Sequence, residues 1–112
     1  MTGGWYGKHI FSEAGSSIQI SDPTTNFHVY SAEWLPDRII FTVDDLVVYE
    51  AVAKSEDDLK IWPFKEEQFM IFNIAFGGNW GGAQGIDPNF VSSTMSVDYV
   101  TVEQATEFIP FV

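Results

Sequence analysis

The sequence predicts an all-β chain, an antiparallel β-sandwich of short strands. Its apolar segments either alternate with period two or run continuously over strand length, and none shows the 3.6-residue period of a long amphipathic helix. The apolar residues are mostly β-branched and aromatic, types that suit a pleated, half-buried surface. Clusters of turn-forming residues recur between these segments, the spacing expected of a sandwich.

A short strand is expected over residues 17–20. The Asp22-Pro23-Thr24-Thr25-Asn26 cluster then makes a turn. Residues 27–34 form a strand with Phe27, Val29, Ser31 and Glu33 on one face and His28, Tyr30, Ala32 and Trp34 on the other. Leu35-Pro36-Asp37 breaks it. Strands 38–43 and 46–51 flank Asp44-Asp45, a tight hairpin turn in which Gly at the second position would better tolerate positive φ. Residues 53–59 are polar and form a short helical turn or a loop. The strongest strand spans 69–76 and is almost continuously apolar, as for a strand covered on both faces. A glycine-rich loop follows at residues 77–82, and the last strand spans 95–102.

The chain has 112 residues, enough for one domain. Hydrophobic residues make up 46% of it and aromatics 16%, which argues for a packed core and against intrinsic disorder. Net charge is −11, so the surface repels phosphate backbones and nucleic-acid binding is not expected. A neutral partner such as a sugar, or a cation, suits this surface; solubility alone also accounts for the charge. With no cysteine, disulfides and cysteine-based zinc sites are excluded. No stretch reaches the apolar length of a membrane span. No basic segment followed by an apolar core opens the chain at Met1, so no signal peptide is expected in it.

Few residues could carry chemistry. Asn73 interrupts an apolar strand face shared with Phe69, Ile71 and Ala75. Its amide either satisfies backbone groups in a core or faces a cleft, where it donates to and accepts from sugar hydroxyls. Asn79 and Trp80 lie among glycines; the indole either plugs the core or stacks on a pyranose ring while the amide bonds its hydroxyls. Trp62, in Ile61-Trp62-Pro63-Phe64, is expected to pack structurally, whereas Trp5 and Tyr6 could line a cleft or fill a core. Asp98 sits between Val97 and Tyr99 in an apolar strand. It is either a solvent-facing edge residue or a calcium ligand, since calcium gathers oxygens from scattered positions. The glycine loop lacks the Lys-Ser/Thr and the strand-to-helix context of a phosphate cradle. His9 and His28 show no ligand spacing, and His28 is expected to be structural.

From Asn26 onward, five blocks occur in order over roughly three quarters of the chain: Phe27-His28-Val29-Tyr30-Ser31-Ala32-Glu33-Trp34 with Pro36-Asp37-Arg38-Ile39; Phe41-Thr42-Val43-Asp44; Trp62-Pro63-Phe64; Phe72-Asn73-Ile74-Ala75-Phe76-Gly77-Gly78-Asn79-Trp80-Gly81-Gly82; and Met95-Ser96-Val97-Asp98-Tyr99-Val100-Thr101-Val102. Together they resemble the laminarinase-type endo-β-1,3-glucanases of glycoside hydrolase family 16. The fourth block is the most specific, and Gly3-Gly4-Trp5-Tyr6-Gly7 is a looser match.

The resemblance implies a concanavalin-like jelly roll, two curved antiparallel sheets with a carbohydrate cleft on the concave face. It implies a retaining mechanism on β-1,3- or mixed-linkage β-glucans, with a nucleophile and an acid/base carboxyl about 5 Å apart. The family carries these on one strand as Glu-x-Asp-x-x-Glu, and the 112 residues do not contain that pattern. Glu66-Glu67 has the wrong spacing, Glu33 has no partner on its strand, and Glu103 and Glu107 follow the last strand. Residues 1–112 are therefore expected to be the C-terminal part of a single jelly-roll domain, with the catalytic strand upstream and no catalytic residue within. By position, Asn73, Asn79 and Trp80 resemble sugar contacts in the cleft. Asp98 resembles the family's calcium-binding Asp, whose other ligands would lie upstream. Asp45 stands where the family's hairpin has Gly.

The implied parent acts outside the cell or in the periplasm. The expected function is a fragment of a β-glucan endohydrolase, inactive alone; the alternatives are a non-catalytic, lectin-like carbohydrate-binding module and a structural assembly protein. A partial jelly roll also leaves strand edges exposed, so self-association is expected.

Overall fold

The computed structural model describes residues 2–3, 14–54 and 62–108, which fall into two units, Met1–Phe69 and Met70–Val112. In the first unit, β1 (Thr2–Gly3) pairs antiparallel with β2 (Ala14–Gly15). Its main element is a three-stranded antiparallel meander of β3 (Tyr30–Leu35), β4 (Arg38–Val43) and β5 (Leu46–Val52), in that order.

Two short turns set its register. Leu35 faces Arg38 across Pro36-Asp37, where proline presets φ and needs no hydrogen-bond acceptor. Val43 faces Leu46 across Asp44-Asp45, whose φ values are 49° and 66°. Two consecutive positive φ values are the signature of a type I′ turn, whose twist matches that of the flanking strands. Further along, Phe41 faces Tyr49 but Thr42 faces Val47, so Val48 is an extra residue that bulges β5.

Alternation along β4 places Ile39, Phe41 and Val43 on one face, with Ile39 and Val43 buried. Ile39 packs with Ala51 and Trp62, and Phe41, Tyr49, Ala53 and Phe64 surround them. Trp62 is fully buried, as expected of a packing residue, and meets Phe64 edge-to-face at 5.1 Å. Pro63 opens the 3-10 turn Pro63–Lys65, where a missing N–H costs nothing. The Trp34 indole N–H donates to the Phe64 carbonyl at 2.9 Å and so fastens this turn to β3.

The outer strands depart from expectation. Residues 17–20 join no ladder with any described residue, and the strand expected over 27–34 is paired as Tyr30–Leu35, starting three residues later and ending one later. Residues 69–76 form no ladder with any described residue, and Phe69 is 84% exposed, so the coverage expected on both faces is not found. Residues 95–102 likewise form no ladder. An apolar alternation makes a segment fit to pair but does not supply its partner, and no described segment pairs with either one.

In the second unit, α1 (Gly78–Gly81) occupies the middle of the expected glycine loop, and a 3-10 turn spans Thr106–Phe108. Phe76 stacks on Phe90 at 4.7 Å, which brings the Asp87-Pro88-Asn89 turn back to the start of α1. No described helix is long and apolar enough to cross a membrane.

Candidate functional site

The glycines around Trp80 have separate tasks. Gly77 and Gly78 take φ of 70° and 75°, which L side chains adopt only with strain, and so turn the chain sharply into α1. Gly82 closes the turn by donating its N–H to Gly78 O at 3.0 Å. A Cβ on Gly82 would lie 2.7 Å from that same oxygen, so no larger residue fits without movement. The bonds from Ala83 N–H to Trp80 O and from Gly85 N–H to Gly82 O extend the turn.

This one-turn platform presents Asn79 and Trp80 to solvent, with the indole 77% exposed. Trp80 is therefore not a plug over the core. An exposed, nearly planar apolar surface of this kind stacks on the C–H face of a pyranose, and the neighbouring amide can bond hydroxyls in both directions.

Beside the platform is an open depression of ≈ 220 Å³, lined by Phe76, Gly77, Gly81, Ile86, Asp87 and Phe90 among others. Asp87 shapes its wall by accepting the Asn89 N–H at 2.8 Å on its side chain and the Phe90 N–H at 3.0 Å on its carbonyl. The turn-forming Asp87-Pro88-Asn89 marks this wall in the sequence but was not singled out above; its approach to Phe76 depends on the ring stack.

Asn73 is exposed within residues 69–76, so it is not a buried core amide. Asp98 is exposed too, and the cost expected of a carboxylate in a covered strand does not arise. Among the described residues no three His, Cys, Asp or Glu side chains are grouped to hold a metal. Asp98 alone offers a small part of the six to eight oxygens that calcium takes. The described residues therefore do not fit a calcium ion. Trp5, Tyr6 and His9 lie outside the described residues.

A second cluster lies in the first unit. The His28 side chain, 9% exposed, sits between two carboxylates. Its Nδ1 is 2.6 Å from Asp44 Oδ2, and its Nε2 is 3.1 Å from Asp22 Oδ1 and 3.3 Å from Asp22 O. Asp44 uses its other oxygen, Oδ1, to accept the Val29 N–H at 2.8 Å, and its own N–H donates to Val29 O at 2.8 Å. Asp22 also accepts the Asn26 side-chain amide and the Thr25 and Asn26 backbone N–H groups. The hydrogen bond to Asp44 raises the His28 pKa above 6.5, against an opposing desolvation effect, with the Asp22 carbonyl and the charges of Asp22 and Asp44 adding to the rise. The same bond, and that from Val29 N–H, lower Asp44 below 3.8. Sequence spacing hid this cluster, because its members are 6 and 16 residues from His28.

Comparison with known proteins agrees with the sequence blocks. A β-glucanase of Rhodothermus marinus is 40% identical over 106 residues, covering 91% of this chain and 37% of that protein. Glucan endo-1,3-beta-glucosidase A1 of Niallia circulans is 33% identical over 82 residues, covering 69% of this chain and 12% of that protein. Xyloglucan endotransglucosylase/hydrolase protein 24 of Arabidopsis thaliana is 62% identical over 66 residues, covering 58% of this chain and 24% of that protein. The chain thus spans well under half the length of each of these relatives. No solved structure is a significant match to it. The family model for glycosyl hydrolases family 16 matches residues 3–101, a stretch that takes in the hairpin, the Trp62 anchor, the α1 platform and Asp98, and the chain belongs to that family.

Proposed function

We propose that this chain supplies the sugar-contacting wall of a β-glucan cleft, on β-1,3- or mixed-linkage glucan, in a retaining endohydrolase that acts outside the cell or in the periplasm. The observation that carries this is Trp80, 77% exposed on a glycine-built turn with Asn79 beside it. Exposing so much indole without a ligand forfeits burial worth about 25 cal/mol for each Å². Stacking on a pyranose recovers part of that, and Asn79 and Asn73 add directional hydrogen bonds. Catalysis is assigned to carboxylates outside this chain, since Glu-x-Asp-x-x-Glu does not occur in it. Calcium has no part in the proposal.

Affinity electrophoresis in gels containing laminarin tests the reading. The protein should be retarded, and Trp80→Ala should bind about tenfold more weakly, the loss typical of an aromatic anchor. Equal mobility of both proteins with and without laminarin sinks it. A gel containing xyloglucan is the informative companion, because the Arabidopsis relative is named for that glycan. A reducing-sugar assay should detect no turnover by this chain; release that survives repurification would place the acid pair within it.

A further inference from the structure

Both ring nitrogens of His28 face oxygen. Nδ1 meets Asp44 Oδ2 at 2.6 Å, and Nε2 meets Asp22 Oδ1 at 3.1 Å and Asp22 O at 3.3 Å. Only the imidazolium carries a proton on each nitrogen, so only the cation donates in both directions. Neutral imidazole must turn a lone pair toward one of these oxygens. The two partners belong to different elements: Asp22 heads the turn at 22–26, and Asp44 is the first central residue of the β4–β5 hairpin turn. Besides these two carboxylates, the titratable group against the ring is Tyr30, edge-on at 6.5 Å. Among the described residues no cation is paired with His28 or with either carboxylate.

We propose that His28 is a proton-operated latch, joining the 22–26 turn to the β4–β5 hairpin turn as the imidazolium and releasing the 22–26 turn on losing a proton. The direction of release follows from the distances. The shorter contact, to Asp44, keeps its proton, and the pair of main-chain and side-chain bonds between Asp44 and Val29 holds that side in place. The longer contacts to Asp22 are lost first. The neutral ring is then the Nδ1–H tautomer, the reverse of the Nε2–H form that predominates in a free side chain.

Nitrogen-15 spectra of the imidazole rings across pH test this, with His9 as the internal reference. Three results are expected for His28: a pKa above 6.5, an Nδ1–H neutral tautomer, and a downward pKa shift in both Asp22→Asn and Asp44→Asn. The Asp22 carboxyl carbon should shift with the His28 transition, while the Val29 amide stays protected from exchange through it. A His28 pKa at or below 6.5, or an Nε2–H neutral form, overturns the latch. The pKa, the tautomer and the Asp22 carboxyl shift are read from the unaltered chain, so a variant that fails to fold does not remove the test.

Discussion

At the scale of single residues, two adjacent aspartates in one turn have opposite consequences. Asp44 and Asp45 both hold positive φ, where a Cβ crowds the following carbonyl. Asp44 offsets that cost with both carboxylate oxygens, one on Val29 N–H and one on His28. Asp45 makes no such bond with any described residue. Asp45→Gly should therefore stabilise the protein by about 1 kcal/mol through relief of the left-handed backbone. Asp44→Gly should destabilise it despite the same relief. Urea denaturation of the two variants decides the point, and a fall in midpoint for Asp45→Gly would show that its carboxylate has a role of its own.

His28 and Asp44 also give stability a pH window. The folded His28 pKa lies above 6.5, so its contribution is complete below 6.5 and is lost as pH rises through the folded value. The folded Asp44 pKa lies below 3.8, so its contribution is complete above 3.8 and is lost as pH falls through the folded value. Both act fully between 3.8 and 6.5. Thermal midpoints should reach their maximum in that interval, and replacing His28 with Gln should flatten the alkaline side. An unchanged alkaline limb in His28→Gln would assign the decline to other groups.

At the scale of elements, the β4–β5 hairpin was the most legible part of the sequence. Both strands alternate, and a two-residue loop leaves little choice of register. The expected span 38–43 matches β4, and 46–51 falls one residue short of β5. Residues 69–76 and 95–102 have equally clear strand patterns but no ladder among the described residues. The difference is locality: the hairpin brings its own partner within a few residues, whereas a central strand waits for one supplied from a distance. Trp80 was only partly legible: flanking glycines offer no neighbouring side chains to cover it, but the sequence left open an indole folded back over the core, and the structure exposes it. The helical turn at Gly78–Gly81 was not, because four residues rich in glycine have no helix propensity and the turn depends on the contact between Gly78 and Gly82. Asn73 shows what a pattern leaves open: an amide in an apolar run can satisfy a core or face a cleft, and here it is exposed.

At the scale of the whole molecule, glycosyl hydrolases family 16 is a jelly-roll sandwich, and this chain is antiparallel and strand-based with few helical turns. The meander ends at β3 on one side and β5 on the other, with no further strand paired to either among the described residues. Large apolar side chains stay open to solvent, Phe69 at 84%, Val91 at 91% and Val102 at 81% among them. Such surfaces favour association, and a net charge of −11 opposes it. Salt decides between them, because the Debye length falls from about 30 Å at 0.01 M to about 8 Å at 0.15 M. Light scattering should report a smaller mean mass at low ionic strength and a concentration-dependent rise on adding salt. A monomer at every salt concentration would mean that the apolar segments are covered within the chain.

The sequence by itself determined the fold class, the family and the hairpin, because each rests on local alternation, on turn chemistry or on an ordered set of short motifs. Tertiary structure alone decided three things: which strand-like segments pair, that Asp87 and Phe90 come back beside Phe76, and that His28 lies between Asp22 and Asp44. Those outcomes depend on contacts between residues distant in sequence, where the alternation of one segment carries no information about the position of another.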